Sequence, residues 1–181
     1  MLQNFILFQI GWFGCVVGGA TQDYYWAGVV IVTFIIAVHL VRASEIRHEI
    51  MLIILTMIVG TAWDSALTVA GLLVFSHGVL VSWLVPSWMI AMWALFATTL
   101  NVSLKWLKHR YVLAAVFGAI GGPLAYYAGH RIGAVDFNNT LSSMIAVGAG
   151  WALIMPGLML MTRYFNGYQV LSQNSLEVKP V

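Results

Sequence analysis

The chain has 181 residues but only 8 Lys+Arg and 6 Asp+Glu, far below the roughly 45 charges of a soluble domain this long. Apolar types make up 61% of it, more hydrocarbon than so small a fold can hide, because over half of a small domain stays at its surface. A soluble enzyme, a disordered tail and a nucleic-acid binder are excluded, and a net charge of +2 offers no face for a polyanion.

Runs apolar enough to cross about 30 Å of hydrocarbon occur six times, over 2–20, 26–42, 49–72, 86–104, 111–133 and 140–162. They predict an all-α polytopic bundle of six transmembrane helices over 1–163, followed by a polar tail over 164–181. The first run carries the one cysteine, Cys15, so an intrachain disulfide and a cysteine-based metal site are ruled out. Gly14 and Gly18 have the small-xxx-small spacing of close helix packing, within the chain or between copies. No Lys or Arg precedes Arg42, so the first helix lacks the basic start of a signal peptide and is expected to be retained.

The second run ends on His39 and Arg42, which with Glu45 keep a three-residue spacing and share a face if the helix extends that far. A neutral histidine beside a carboxylate suits general acid–base work, and an arginine fork suits a lipid phosphate or carboxylate. The alternative is a topogenic Arg42, solvated Glu45 and Glu49, and a His39 that snorkels. Asn4, Thr98 and Asn101 fall in the same inner layer as these groups.

In the third run Gly60, Asp64, Thr68 and Gly71 share a face, a small and polar stripe turned toward the bundle. Asp64 lies 15 residues beyond Glu49, about 22 Å along the helix. It is the carboxylate placed well inside a span, and therefore a candidate proton carrier or general acid. The alternative is a structural carboxylate bonded to Tyr or Trp neighbours. Residues 75–85 (FSHGVLVSWLV) are too apolar for a solvated loop and too short to span, which leaves an interfacial or re-entrant segment or an extension of the third helix.

In the fifth run Gly121-Gly122-Pro123 sits about 15 Å from residue 111, where it predicts either a helix break beside a site or a simple proline kink. Tyr126 reaches the level of Asp64, with Tyr127 beside it and His130 one turn further out in the same outer layer, and Gly129 and Gly133 repeat the small-xxx-small spacing. Pro156-Gly157 loosens the sixth run in a similar way. Trp26, Trp83 and Trp88 are expected at the outer interface and Trp106 at the inner one, with Trp12, Trp63, Trp93 and Trp151 filling the bundle. Seven of the eight Lys and Arg fall on the side of the N-terminus and Arg131 alone on the other, so both termini are expected to be cytoplasmic.

The stretches NFILFQIGWFGCV at 4–16, His39 to Glu49, Gly60 with Asp64, PSW at 86–88 and GAIGGPLAYYAGHRIGA at 118–134 resemble a family of small bacterial inner-membrane proteins catalogued as a domain of unknown function. That resemblance implies a polytopic membrane protein and supplies no agreed activity. Members tend to be encoded near cyclopropane-fatty-acid-synthase-like enzymes, which implies an association with lipid modification.

The sequence reading is thus an enzyme or accessory factor acting on membrane lipid in the bacterial inner membrane. Asp64, Tyr126 and His39 are the proton-transfer groups, and Arg42, His130 and Asn101 the substrate contacts. A small proton-coupled transporter is one alternative. A non-catalytic scaffold is another, packing on a partner or a second copy through Gly14, Gly18, Gly129 and Gly133. No motif calls for a metal or a cofactor.

Overall fold

Hydrocarbon offers the backbone no hydrogen-bond partner, so an apolar run in a bilayer must close its own bonds as a helix. In the computed structural model, which describes residues 1–168, six runs do so: α1 (Leu2–Gly19), α2 (Ala27–Val41), α3 (Ile46–Val69), α4 (Ser87–Leu100), α5 (Tyr111–Ile132) and α6 (Thr140–Tyr164). The all-α, six-helix class is as expected. Four of the helices are long and apolar enough to cross a membrane, while α2 and α4 have 15 and 14 residues, about 21–23 Å, and fall short of a ~30 Å core on their own. Of the tail expected over 164–181, everything after Tyr168 lies outside the described residues.

The bundle is apolar outside and holds a few buried polar groups within an otherwise apolar core. Phe34, Leu124, Ile145 and Leu153 are exposed on its flanks, whereas His39, Glu49, Thr56, Asp64 and Asn101 are buried. At its centre is α4, with ten of its 14 residues buried and neighbours in α1, α2, α3 and α6. α5 and α6 form a closely packed hairpin, while α1 and α5 scarcely touch. Hydrogen bonds from Asn4 to the Thr98 carbonyl, from Ser103 to Asn4, and from Asn101 to the Phe165 carbonyl gather the N-terminus, the α4–α5 linker and the end of α6 at one end of the bundle. That end is called the near end below.

The far end differs from expectation in two respects. The 3–4 linker is not an extension of α3: the helix stops at Val69, and Gly71 takes a left-handed φ of 71°. Beyond it Val74–Phe75 (β1) pairs antiparallel with Val135–Asp136 (β2), in the register Val74↔Asp136 and Phe75↔Val135. Leu73, Phe75 and Val85 turn into the core, while Val79, Leu80, Val81 and Trp83 are exposed, so the linker is apolar on two sides, one packed on the bundle and one turned outward as an interfacial segment would be. Trp88, expected at the interface, is 2% exposed and donates its indole N–H to the His77 carbonyl at 3.1 Å. Trp26, Trp83 and Trp106 are exposed.

The proline segments do not break their helices. α5 runs unbroken through Pro123, and α6 through Pro156. The Ala119 carbonyl, which Pro123 cannot satisfy, faces Gly148 of α6, where an added Cβ would lie 3.2 Å from the oxygen. The proline thus marks a close approach of two helices. Gly14 and Gly18 pack inside the chain, against Ile31 and the Tyr24 carbonyl. Gly129 and Gly133 form a helix end: Gly133 adopts φ 96° and donates to the Gly129 carbonyl at 3.1 Å.

Candidate functional site: two buried carboxylates and a groove

α3 carries one buried face, on which Glu49, Thr56, Gly60 and Asp64 lie in register at spacings of seven, four and four. Its two carboxylates sit near opposite ends, and each is fully buried.

Asp64 lies five residues from the end of α3 and Tyr126 six from the end of α5, both about 8–9 Å from the far end. The Tyr126 hydroxyl donates to Asp64 Oδ1 at 2.5 Å and the Trp93 indole N–H to Oδ2 at 2.7 Å. No cation pairs with Asp64 among the described residues. Trp93 is fixed in turn by stacking on Trp151, with ring centroids 4.8 Å apart and planes at 17°. It also fits against Gly60, where any Cβ would overlap its indole. The backbone of α3, which needs no side chain at Gly60, brings the indole within reach of the carboxylate one turn on.

Glu49 organises the near end. Its Oε1 accepts from Asn101 Nδ2 at 2.6 Å and from the Gly167 backbone N–H at 2.8 Å, and its Oε2 lies 2.8 Å from His39 Nε2. Tyr168 closes the cluster by donating its hydroxyl to the His39 carbonyl at 2.5 Å. The strap that follows α6 is pinned a second time, since the Gly167 carbonyl accepts from the Ser44 N–H at 2.8 Å. Burial, with the Glu49 charge next, pushes the Tyr168 phenol up to about 12, while Arg42 pulls it down.

Between α1, α4 and α5 runs an apolar groove of about 360 Å³, within the range of small-ligand sites. It extends from Ser103 and Leu104 at the near end to Ala134 and Val135 at the far end, and Trp93 and Tyr126 form part of its wall. Asp64 itself stands behind them. Phe5 and Phe117, both exposed, flank the groove on α1 and α5. Its polar lining includes Gln9, Thr99 and Ser103.

The structure brings Asp64 and Tyr126 together as expected, but not the other candidates. Tyr127 is half-exposed. His130 turns away to Asp136, with Nδ1 3.0 Å from Oδ1, and to the Val135 carbonyl. Arg42 is the exposed cap of α2, which ends at Val41. The helix therefore never reaches Glu45, and the face expected for His39, Arg42 and Glu45 does not form. Asn101 is buried and engaged with Glu49, not open to a ligand. Sequence reasoning missed Glu49 as the partner of His39, although its spacing to Thr56, Gly60 and Asp64 marks it as inward-facing. It also missed Gln9, an amide inside a span, whereas the alternative for Asp64, a carboxylate bonded to Tyr and Trp neighbours, is the arrangement found, with Tyr126 and Trp93 as the donors.

A family model described as a protein of unknown function, DUF2878, matches residues 1–157, so the chain belongs to that family. No curated protein and no solved structure matches it.

Proposed function

We propose, for a family whose description assigns no activity, that the chain is a multi-pass protein of the bacterial inner membrane with both termini cytoplasmic. It takes an acyl chain of a membrane lipid into the α1–α4–α5 groove and supports its modification, as the enzyme or as an accessory to one. One observation carries this reading: Trp93 and Tyr126, which wall the groove, are the residues that hold Asp64. A lipid chain in the groove would press on the two side chains that control that carboxyl group.

Chemically, the Tyr126–Asp64 pair is a short acid–base dyad. Tyr126 spends its proton on the carboxyl oxygen at 2.5 Å and keeps a phenolic lone pair. Moving that proton requires little rearrangement, and a dry wall of Trp93, Trp151 and Phe96 leaves the dyad's dipoles unscreened. His39 does not line the groove, and with Glu49 it secures the near end. Because α5 is unbroken, a helix break no longer argues for a site, and the groove takes its place.

The test is lipid mass spectrometry on a strain lacking the gene, complemented with wild type, Asp64→Asn or Gly121→Leu. Gly121 lines the groove and has open space where a side chain would project, so leucine there fills the groove. Wild type should restore the lipid profile of the parent strain and neither variant should. If the deletion strain and both variants match the parent, the reading is refuted.

A further inference from the structure

The near end of the groove opens beside a cationic turn that the dyad does not explain. Ser103 and Leu104 line the groove, and the next residue, Lys105, begins a short 3-10 turn, Lys105–Leu107, that leads through Lys108 and Arg110 into α5. Lys105 and Arg110 are exposed and Lys108 half-buried. None of the three forms an ion pair among the described residues. Two features hold this turn against the groove. Trp106 meets the groove residue Phe117 edge-on, with centroids 5.9 Å apart and planes at 90°. His109 takes a left-handed φ of 64°, a conformation that non-glycine residues seldom adopt, and so reverses the chain directly before Arg110.

We infer that the lipid is an anionic phospholipid, its phosphate held by the Lys105–Lys108–Arg110 turn while one acyl chain lies in the groove. This rests on the reading above and names its substrate class. Three cations without an ion-pair partner among the described residues, on the turn that directly follows the groove residues Ser103 and Leu104, complement a ligand with one anionic end and one hydrocarbon end. A free phosphate would leave the apolar walls unfilled, and a zwitterionic lipid, whose phosphate is countered by its own ammonium, would compensate the cations less fully. Half-burial holds the Lys108 ammonium below the ordinary lysine range, Glu49 opposing and Lys105 adding to the effect, which is the condition that a second anion nearby would relieve. Tyr126 stands 15 residues along α5 from Tyr111, about 22 Å, beyond the ~15 Å that one leaflet of a ~30 Å core occupies. A chain anchored at the turn must therefore run extended past the midplane to reach the dyad, and the groove walls supply that constraint.

Native mass spectrometry of the full chain in detergent tests this, with phosphatidylglycerol and phosphatidylethanolamine of identical acyl chains and with inorganic phosphate as competitor. Wild type should retain phosphatidylglycerol in preference. Lys105→Gln and Arg110→Gln should each cut that preference about fivefold, lowering phosphatidylglycerol retention more than that of phosphatidylethanolamine, whose phosphate is partly neutralised by its own ammonium, whereas Gly121→Leu should reduce retention of both lipids. Equal retention of the two lipids by wild type overturns the headgroup assignment and leaves the groove reading standing. Retention of neither overturns both. Displacement of phosphatidylglycerol by phosphate at equal concentration also overturns the assignment, because the turn would then be a site for a free anion.

Discussion

Gly60→Ala tests whether Trp93 is held where the dyad needs it. A methyl group at Gly60 falls on the indole at Cδ2, Cε2 and Cε3. The ring can move only toward the groove it walls, at the expense of its contacts: it is 2% exposed, stacked on Trp151 at 4.8 Å and bonded to Asp64 at 2.7 Å. Forcing one extra carbon into such a site costs about 1–3 kcal/mol. Loosening the indole–carboxyl hydrogen bond adds about 1 kcal/mol, so the whole change should cost about 2–4 kcal/mol. Equilibrium unfolding in mixed micelles with rising SDS, followed by tryptophan fluorescence, would measure it. Trp93→Leu makes room, and in that background the same Gly60→Ala should cost less than about 1 kcal/mol. If Gly60→Ala alone stays within about 0.5 kcal/mol of wild type, as surface changes do, then Trp93 is not wedged between α3 and α6 and the account of the dyad fails.

Three further outcomes follow from the same contacts. Tyr126→Phe leaves a buried oxygen of Asp64 without its donor and should destabilise the fold by about 1–3 kcal/mol, and a double-mutant cycle with Asp64→Asn should show the two effects to be coupled. Glu49→Ala strands Asn101, the Gly167 N–H and His39 together and should cost about 3–5 kcal/mol in the same unfolding assay; Glu49→Gln, which keeps an acceptor, should cost less than half as much. The Tyr168 phenol, raised from 10.0 to about 12, is favoured in its protonated form by the docked strap. Its contribution to docking is therefore complete below pH 10 and lost as pH climbs through 12. The difference in phenolate absorbance between wild type and Tyr168→Phe should titrate near 12, and a midpoint near 10 would show that the strap is not docked.

On α3 much of the site could be read from the sequence. The polar stripe of Gly60 and Asp64 was legible because a helix repeats its faces every three or four residues, and in a bilayer a small polar face has one direction to turn. The depth match between Asp64 and Tyr126 was legible because the rise per residue is constant. His39 was assigned the wrong carboxylate for a reason just as physical. The expected face required α2, bounded at 42, to run on to Glu45, but the helix stops at Val41 and the chain reverses at the 2–3 turn, which carries Glu49 back beneath the imidazole. His130, expected one turn beyond Asp64, turns away from it, because β2 places Asp136 beside it. That two-residue ladder is too short to leave a periodic signal. The apolar 3–4 linker is a similar case: hydropathy reports that a segment avoids water, not whether it meets lipid or core.

The number of helices, their near boundaries and the alternation of their ends follow from local physics, since each run must satisfy its own backbone in hydrocarbon whatever its neighbours are. The company that each polar side chain keeps does not. Asp64 draws its donors from 29 and 62 residues away, and Glu49 from 52 and 118. Helices surrounded by lipid carry no amphipathic pattern that says which of them adjoin, because lipid tails and leucine side chains are equally apolar. Small residues decide it through shape, as at Gly60 under Trp93 and Gly122 against Trp151. Only when those surfaces interlock do two carboxylates acquire their partners and α1, α4 and α5 enclose a groove.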